Sequence, residues 1–141
     1  MTELLATWGP AGLALAAFLA GSIVPAPSEA VLALLLHQGQ SPAPLVVLAT
    51  VANTAGAATL LWLGRQGRAV AERHTRPERL ARFEAAYRRA GAPVLLGSWV
   101  PIVGDAVVLA AGVARLRVGV ALLWIGAGKL GRYAAVAWLL S

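Results

Sequence analysis

A carboxylate set beside prolines inside an apolar run is hard to place in most folds, and this chain contains two such stretches. The first is Gly21-Ser22-Ile23-Val24-Pro25-Ala26-Pro27-Ser28-Glu29-Ala30-Val31. It returns as Gly97-Ser98-Trp99-Val100-Pro101-Ile102-Val103-Gly104-Asp105-Ala106-Val107, an offset of 76 residues (97 − 21 and 105 − 29). Gly, Ser, Val, Pro, Ala and Val recur in register, and Glu29 becomes Asp105. Proline removes a backbone donor and clashes with the preceding turn, so neither stretch can continue as a regular helix. The chain therefore reads as two copies of one unit, each built around a broken acidic segment.

The surroundings decide what environment the breaks occupy. Of 141 residues, 59% are hydrophobic and 13% charged, where a soluble domain carries about 25% charged residues. That balance points to a membrane, with room for about four crossing pieces of roughly 20 residues each. The absence of cysteine rules out disulfides, thiolate metal sites and thiol nucleophiles. His37 and His74 are too few and too far apart for a zinc site. The net charge of +6 is not a nucleic-acid signal, because 8 of the 12 basic residues lie between Arg65 and Arg89. Such clustering fixes membrane topology. Met1-Thr2-Glu3 lacks the positive charge of a signal peptide, so the N-terminal segment is expected to belong to the mature protein.

The apolar run from Trp8 to Ala20 is too short to cross a bilayer core of roughly 30 Å as a helix. After the break at Pro25 and Pro27, the run from Ala30 to Leu36 is shorter still. Two short arms around a broken tip suggest a re-entrant hairpin, which backbone at membrane depth tolerates only in protein or beside a wet cavity. A polar turn, His37 to Pro42, leads to Leu45–Leu63, long enough to span. Arg65 to Arg89 forms a polar connector in which Glu78, Arg79, Arg82, Phe83, Ala86 and Tyr87 can make an amphipathic surface helix. Pro93 to Leu96 leads into the second broken loop, Val107 to Ala114 returns from it, and Val118–Leu140 is the last span.

The expected fold is an all-α integral membrane protein forming a single membrane domain over residues 1–141. Repeat 1 covers about 8–64, an Arg-rich connector about 65–92 and repeat 2 about 93–140. Each repeat is a proline-broken re-entrant helical hairpin followed by one transmembrane helix, and parity makes the two repeats inverted. The positive-inside rule places the connector in the cytoplasm and both termini on the outer side. Inverted repeats meeting at broken helices are a recurrent transporter plan.

The register extends to a second polar position. Asn53 follows Glu29 by 24 residues, and Lys129 follows Asp105 by 24. Ionisable groups at the centre of a membrane cost about 2.5–3.5 kcal/mol on insertion scales. Glu29, Asp105, Lys129 and Arg132 are therefore expected to face one another around a polar substrate or proton pathway that includes Asn53. The plainer alternative is that these charges neutralise one another and hold the bundle together. Lys129 and Arg132 lie three residues apart and share a helix face, so they could hold an anionic headgroup, the arginine as a bidentate fork. The broken loops themselves are assigned to Pro25, Pro27 and Ser28, and to Ser98, Trp99, Pro101 and Gly104. Trp99 reads chiefly as packing over the second tip. No Walker loop, dinucleotide fingerprint, metal-ligand spacing or nucleophile–base pair stands out, so neither enzyme activity nor a cofactor is expected.

Val24-Pro25-Ala26-Pro27-Ser28-Glu29, Asn53-Thr54-Ala55-Gly56, Gly64-Arg65-Gln66-Gly67 and Trp99-Val100-Pro101 resemble the DedA superfamily, also called the VTT or SNARE-associated domain. Ser98 to Asp105 and Gly128-Lys129-Leu130-Gly131-Arg132-Tyr133 resemble its small YqaA-like branch. The resemblance covers nearly the whole chain. It implies paired re-entrant hairpins of inverted symmetry in a bacterial inner membrane, and translocation of undecaprenyl phosphate or phospholipids. Glu29 matches the acidic residue of the first family loop. The arginines that flank the proline of the second family loop are replaced here by Ser98 and Gly104, and Lys129 and Arg132 could supply that charge from the neighbouring span. The functional expectation is a transporter that translocates or scrambles a lipid with an anionic headgroup. Proton linkage and homo-oligomer formation are both compatible with it, and nucleic acid is not a partner. The alternatives are a proton-coupled exporter of small solutes or drugs, and a membrane scaffolding protein.

Overall fold

A computed structural model describes residues 7–22, 27–99 and 104–140, without the side chains of 97–99 and 104. Every regular element among them is helical: α1 (Pro10–Gly21), α2 (Ser28–His37), α3 (Pro42–Arg65), α4 (Arg68–Ala71), α5 (Pro77–Ala90), a 3-10 helix (Ala92–Trp99), α6 (Gly104–Val113) and α7 (Val118–Leu140). The two long helices have 24 and 23 residues, enough at about 1.5 Å per residue to cross a bilayer core. Only α3 among the described helices is also uniformly apolar enough for a span by composition. In α7, Lys129 and Arg132 interrupt the run. Val47, Val51 and Trp62 on α3, and Leu123, Trp138 and Leu139 on α7, are large apolar side chains left exposed, as lipid-facing positions would be.

The 76-residue offset recurs in the element boundaries. α2 begins at 28 and α6 at 104; α2 ends at 37 and α6 at 113; α3 begins at 42 and α7 at 118. It also recurs in individual hydrogen bonds. At the end of α2, Gly39 N–H donates to Leu36 C=O and Gln40 N–H to Leu35 C=O. At the end of α6, Arg115 N–H donates to Gly112 C=O and Leu116 N–H to Ala111 C=O. These are Schellman-type terminations, which need a left-handed residue just past the helix. Gly39 supplies it at φ 89°, and Arg115 supplies it at φ 58° without being glycine.

Packing divides the chain differently from the sequence repeats, into one compact unit of residues 1–56 with 129–141 and another of residues 57–128. Each unit thus holds one short helix of the α2/α6 type and about half of each long helix. In the first unit, Leu13, Ala16 and Ala17 of α1 and Val31, Leu32 and Leu35 of α2 form a core with Leu45, Val46 and Ala49 of α3 and Tyr133 and Ala137 of α7. Here α1 and α3 meet backbone to backbone: a Cβ on Gly56 would overlap the Phe18 carbonyl. In the second unit, Ala57, Leu60 and Leu61 of α3 pack with Val107 to Ala111 of α6 and Ala121 and Ile125 of α7. Gly64 and Gly112 give the corresponding close approach, a Cβ on Gly64 lying 3.0 Å from Gly112 Cα and overlapping the Leu109 carbonyl. Small residues of this kind are what allow helices to associate in a bilayer, where apolar burial gives no net drive.

The connector carries α4 and the amphipathic helix foreseen from its sequence, α5. Pro77 stands in its first turn, where its missing N–H costs nothing. Leu80 and Tyr87 are buried, with Phe83 between them. The Tyr87 hydroxyl donates to the Val107 carbonyl of α6 at 2.7 Å. Burial pushes the Tyr87 phenol well above its ordinary pKa, so it stays a donor through the neutral range. Pro93 to Leu96, expected to lead into the second broken loop, lies in an eight-residue 3-10 helix.

Candidate functional site

The first compact unit gathers polar side chains in an otherwise apolar interior. Pro27 precedes α2 at φ −85° and the helix starts at Ser28. Glu29 therefore occupies the first turn of α2, where a negative charge meets the positive end of the helix dipole. Its carboxylate forms an ion pair with the Arg132 guanidinium of α7. The arginine side chain is 21% exposed and the glutamate 40%, so the pair sits at the edge of the unit rather than in its centre.

Beside the ion pair, Ser28 Oγ and Tyr133 Oη share a hydrogen bond of 3.0 Å. Both residues are buried. Glu29, Arg132 and Asn53 also flank the Tyr133 phenol. Asn53, 1% exposed, donates from Nδ2 to the Ala17 carbonyl of α1 at 2.9 Å. Among the described residues its Oδ1 has no close hydrogen-bond partner, the Tyr133 phenol being its polar neighbour, and the buried hydroxyls of Thr50 and Thr54 have none. Positions 50, 53 and 54 lie on one face of α3 by helical spacing, so an unsatisfied polar strip runs along that face. Lys129 is buried on α7, one turn before Tyr133.

The structure thus brings Glu29 together with Arg132, and it places Asn53 and Lys129 in the same compact unit. Asp105 is the second residue of α6, as Glu29 is of α2, but it is exposed and belongs to the other unit. Ser98 and Trp99 close the 3-10 helix and Gly104 opens α6. Pro25 and Pro101 lie outside the described residues. Both acidic residues, read from sequence as parts of broken loops, are in first helical turns, because the helix restarts directly after Pro27 in one case and at Gly104 in the other. Sequence reasoning missed Tyr133, Thr50 and Thr54. Their signal was positional: a hydroxyl next to Arg132 and one turn after Lys129, and two threonines at helical spacing around Asn53.

Short helices with a carboxylate in the first turn, a membrane-length apolar α3 that meets them at glycine, and an ion pair at the edge of one unit fit an α-helical membrane protein. The VTT-domain family model matches residues 24–141, and the chain belongs to the VTT-domain, or DedA, family. It is 36% identical over 125 residues to the inner membrane protein YqaA of Escherichia coli (strain K12), covering 85% of this chain and 82% of that one. The protein of the same name in Shigella flexneri matches to the same extent. No solved structure matches the chain.

Proposed function

We propose that this protein is a non-enzymatic transporter of the bacterial inner membrane that carries a lipid with an anionic headgroup from one leaflet to the other. The name of its YqaA relatives supports the location, and family membership supports a transport role. The observation that carries the reading is the Glu29–Arg132 pair beside the polar strip of Thr50, Asn53 and Thr54. An arginine held by a carboxylate is a latent phosphate site, since guanidinium binds phosphate in the same bidentate manner. An anionic headgroup competes with Glu29 for Arg132. Lys129 adds a second positive charge on the same helix. The unsatisfied oxygens of α3 offer the polar partners that a headgroup needs on its way through hydrocarbon.

In this reading the matching boundaries of α2 and α6, and of α3 and α7, reflect two inverted repeats whose short helices are arms of re-entrant hairpins. The connector is cytoplasmic and the termini face outward, following the positive charges between Arg65 and Arg89. Asp105 is the second repeat's carboxylate.

The test uses purified protein in proteoliposomes, following transbilayer movement of labelled lipids that differ only in headgroup. Movement of anionic lipid is expected, in preference to zwitterionic lipid. Protein that moves no lipid, but releases protons when offered small cationic solutes, is an exporter instead.

A further inference from the structure

The arginines of the connector divide into two sets. One set meets carboxylates: Arg68 of α4 pairs with Glu84 and, at 3.1 Å, with Glu72, and Arg88 approaches Glu84 at 4.0 Å. The other set does not. Arg76, Arg79, Arg82 and Arg89 have no acidic partner among the described residues, and three of them are exposed, Arg79 being half-buried. Arg82 and Arg89 are two helical turns apart and project opposite to Leu80 and Tyr87, the buried anchors. Two shallow grooves follow this side. One, of about 630 Å³, is lined by Arg76, Pro77, Glu78, Arg79 and Arg82. The other, of about 390 Å³, is lined by Arg82, Ala85, Ala86, Arg89 and Ala90. Arg82 belongs to both, so they form one strip. Its net charge is +3, four arginines against Glu78.

The geometry points to this strip as a docking surface for the acidic phospholipid headgroups of the bilayer in which the protein sits. Two features favour that occupant. First, α5 is tied by Tyr87 to α6 and follows the end of the membrane-length α3 after 11 residues, which holds it at the level where headgroups lie. Second, the strip alternates guanidinium groups with the small apolar surfaces of Ala85, Ala86 and Ala90. Phosphates take the guanidinium forks while the alanines admit the upper acyl and glycerol carbons. This surface is separate from the Glu29–Arg132 pair and does not depend on transport.

The chain has no cysteine, so Ala85→Cys gives a unique site for an environment-sensitive fluorophore in the full-length protein. Labelled protein is placed in nanodiscs of phosphatidylcholine alone and in nanodiscs with increasing phosphatidylglycerol. The expected result is a blue shift and protection from aqueous quencher that grow with phosphatidylglycerol and are reversed by high salt. Each arginine replaced by glutamine should weaken the apparent lipid affinity roughly fivefold. The Arg76→Gln/Arg79→Gln/Arg82→Gln/Arg89→Gln variant should lose the response while keeping its helicity and elution position. A second readout, the number of acidic lipids retained in native mass spectrometry, should fall in the same variant. A response equal in both lipid compositions, or kept by the quadruple variant, overturns the proposal. So does protection that appears only when a soluble acidic protein is added.

Discussion

α2 and α6 are the same device used for two purposes. Both have ten residues, both place a carboxylate second, and both end in the same pair of hydrogen bonds. In α6 every residue from Ala106 to Gly112 is buried, and its far end lies against the backbone of α3 at Gly64. In α2 only Ser28, Val31, Leu32 and Leu35 are buried, and two of its first residues engage α7 through Tyr133 and Arg132. The difference teaches that a repeated backbone element fixes where a charge is presented, while its neighbours decide what surrounds it. α6 buries Ala106 to Gly112 and is tied to the connector through Tyr87, and α2 brings Ser28 and Glu29 to Tyr133 and Arg132.

The largest expected effects come from the glycines that let α3 approach each short-helix unit. Gly64→Leu forces a side chain into the Leu109 carbonyl and should cost at least about 3 kcal/mol, so little folded protein will survive detergent extraction and size-exclusion chromatography. Gly131→Leu meets nothing within 4 Å and should behave as wild type in the same assay. Loss of both proteins alike would break the claim that Gly64 is a contact point.

Next comes the carboxylate of the ion pair. From sequence, Glu29 and Asp105 are equivalent. With the competitor for Arg132 gone, Glu29→Gln should hold an anionic headgroup more tightly and release it more slowly, so anionic lipid movement should fall by about tenfold, equal to about 1.4 kcal/mol. Unchanged movement in Glu29→Gln would break the assignment of Glu29 to the site.

A smaller effect tests the scaffold side. Tyr87→Phe removes one hydrogen bond to α6 and should cost about 1 kcal/mol, read as a lowered Tm. The folded-state pKa of Tyr87 is raised above the unfolded value near 10. The stability it contributes is therefore complete below about pH 10 and is lost as pH rises above it. The wild type should lose Tm over that range more steeply than Tyr87→Phe. Smallest of all is Arg115→Gly. It relieves a left-handed arginine at φ 58° but forfeits a long contact from Arg115 to the Arg65 carbonyl, so the net change should stay within about 1 kcal/mol.

Much of this was legible before any coordinates. The prolines and the 76-residue echo located α2 and α6, and the cost of a charge in hydrocarbon foretold that Glu29 would find a cation. Other features were hidden for definite reasons. The 3-10 helix at Ala92–Trp99 is too short, and too uniformly apolar, to carry a clear period. The left-handed conformation at Arg115, which Gly39 announces openly in the first copy, has no glycine to signal it. The Ser28–Tyr133 bond joins residues 105 positions apart, and no local pattern reports such a contact. The unsatisfied strip of Thr50, Asn53 and Thr54 was half visible, because Asn53 drew notice and its threonine neighbours look ordinary in an apolar helix.

The central claim is that Arg132 exchanges Glu29 for an anionic headgroup. It is tested most directly by the ratio of transbilayer rates for an anionic and a zwitterionic lipid bearing the same label, measured on wild type and Arg132→Ala in proteoliposomes. The wild type should favour the anionic lipid, and the ratio should fall to about one in Arg132→Ala as the charge-assisted contact is lost. A preference that survives unchanged in Arg132→Ala would contradict the account.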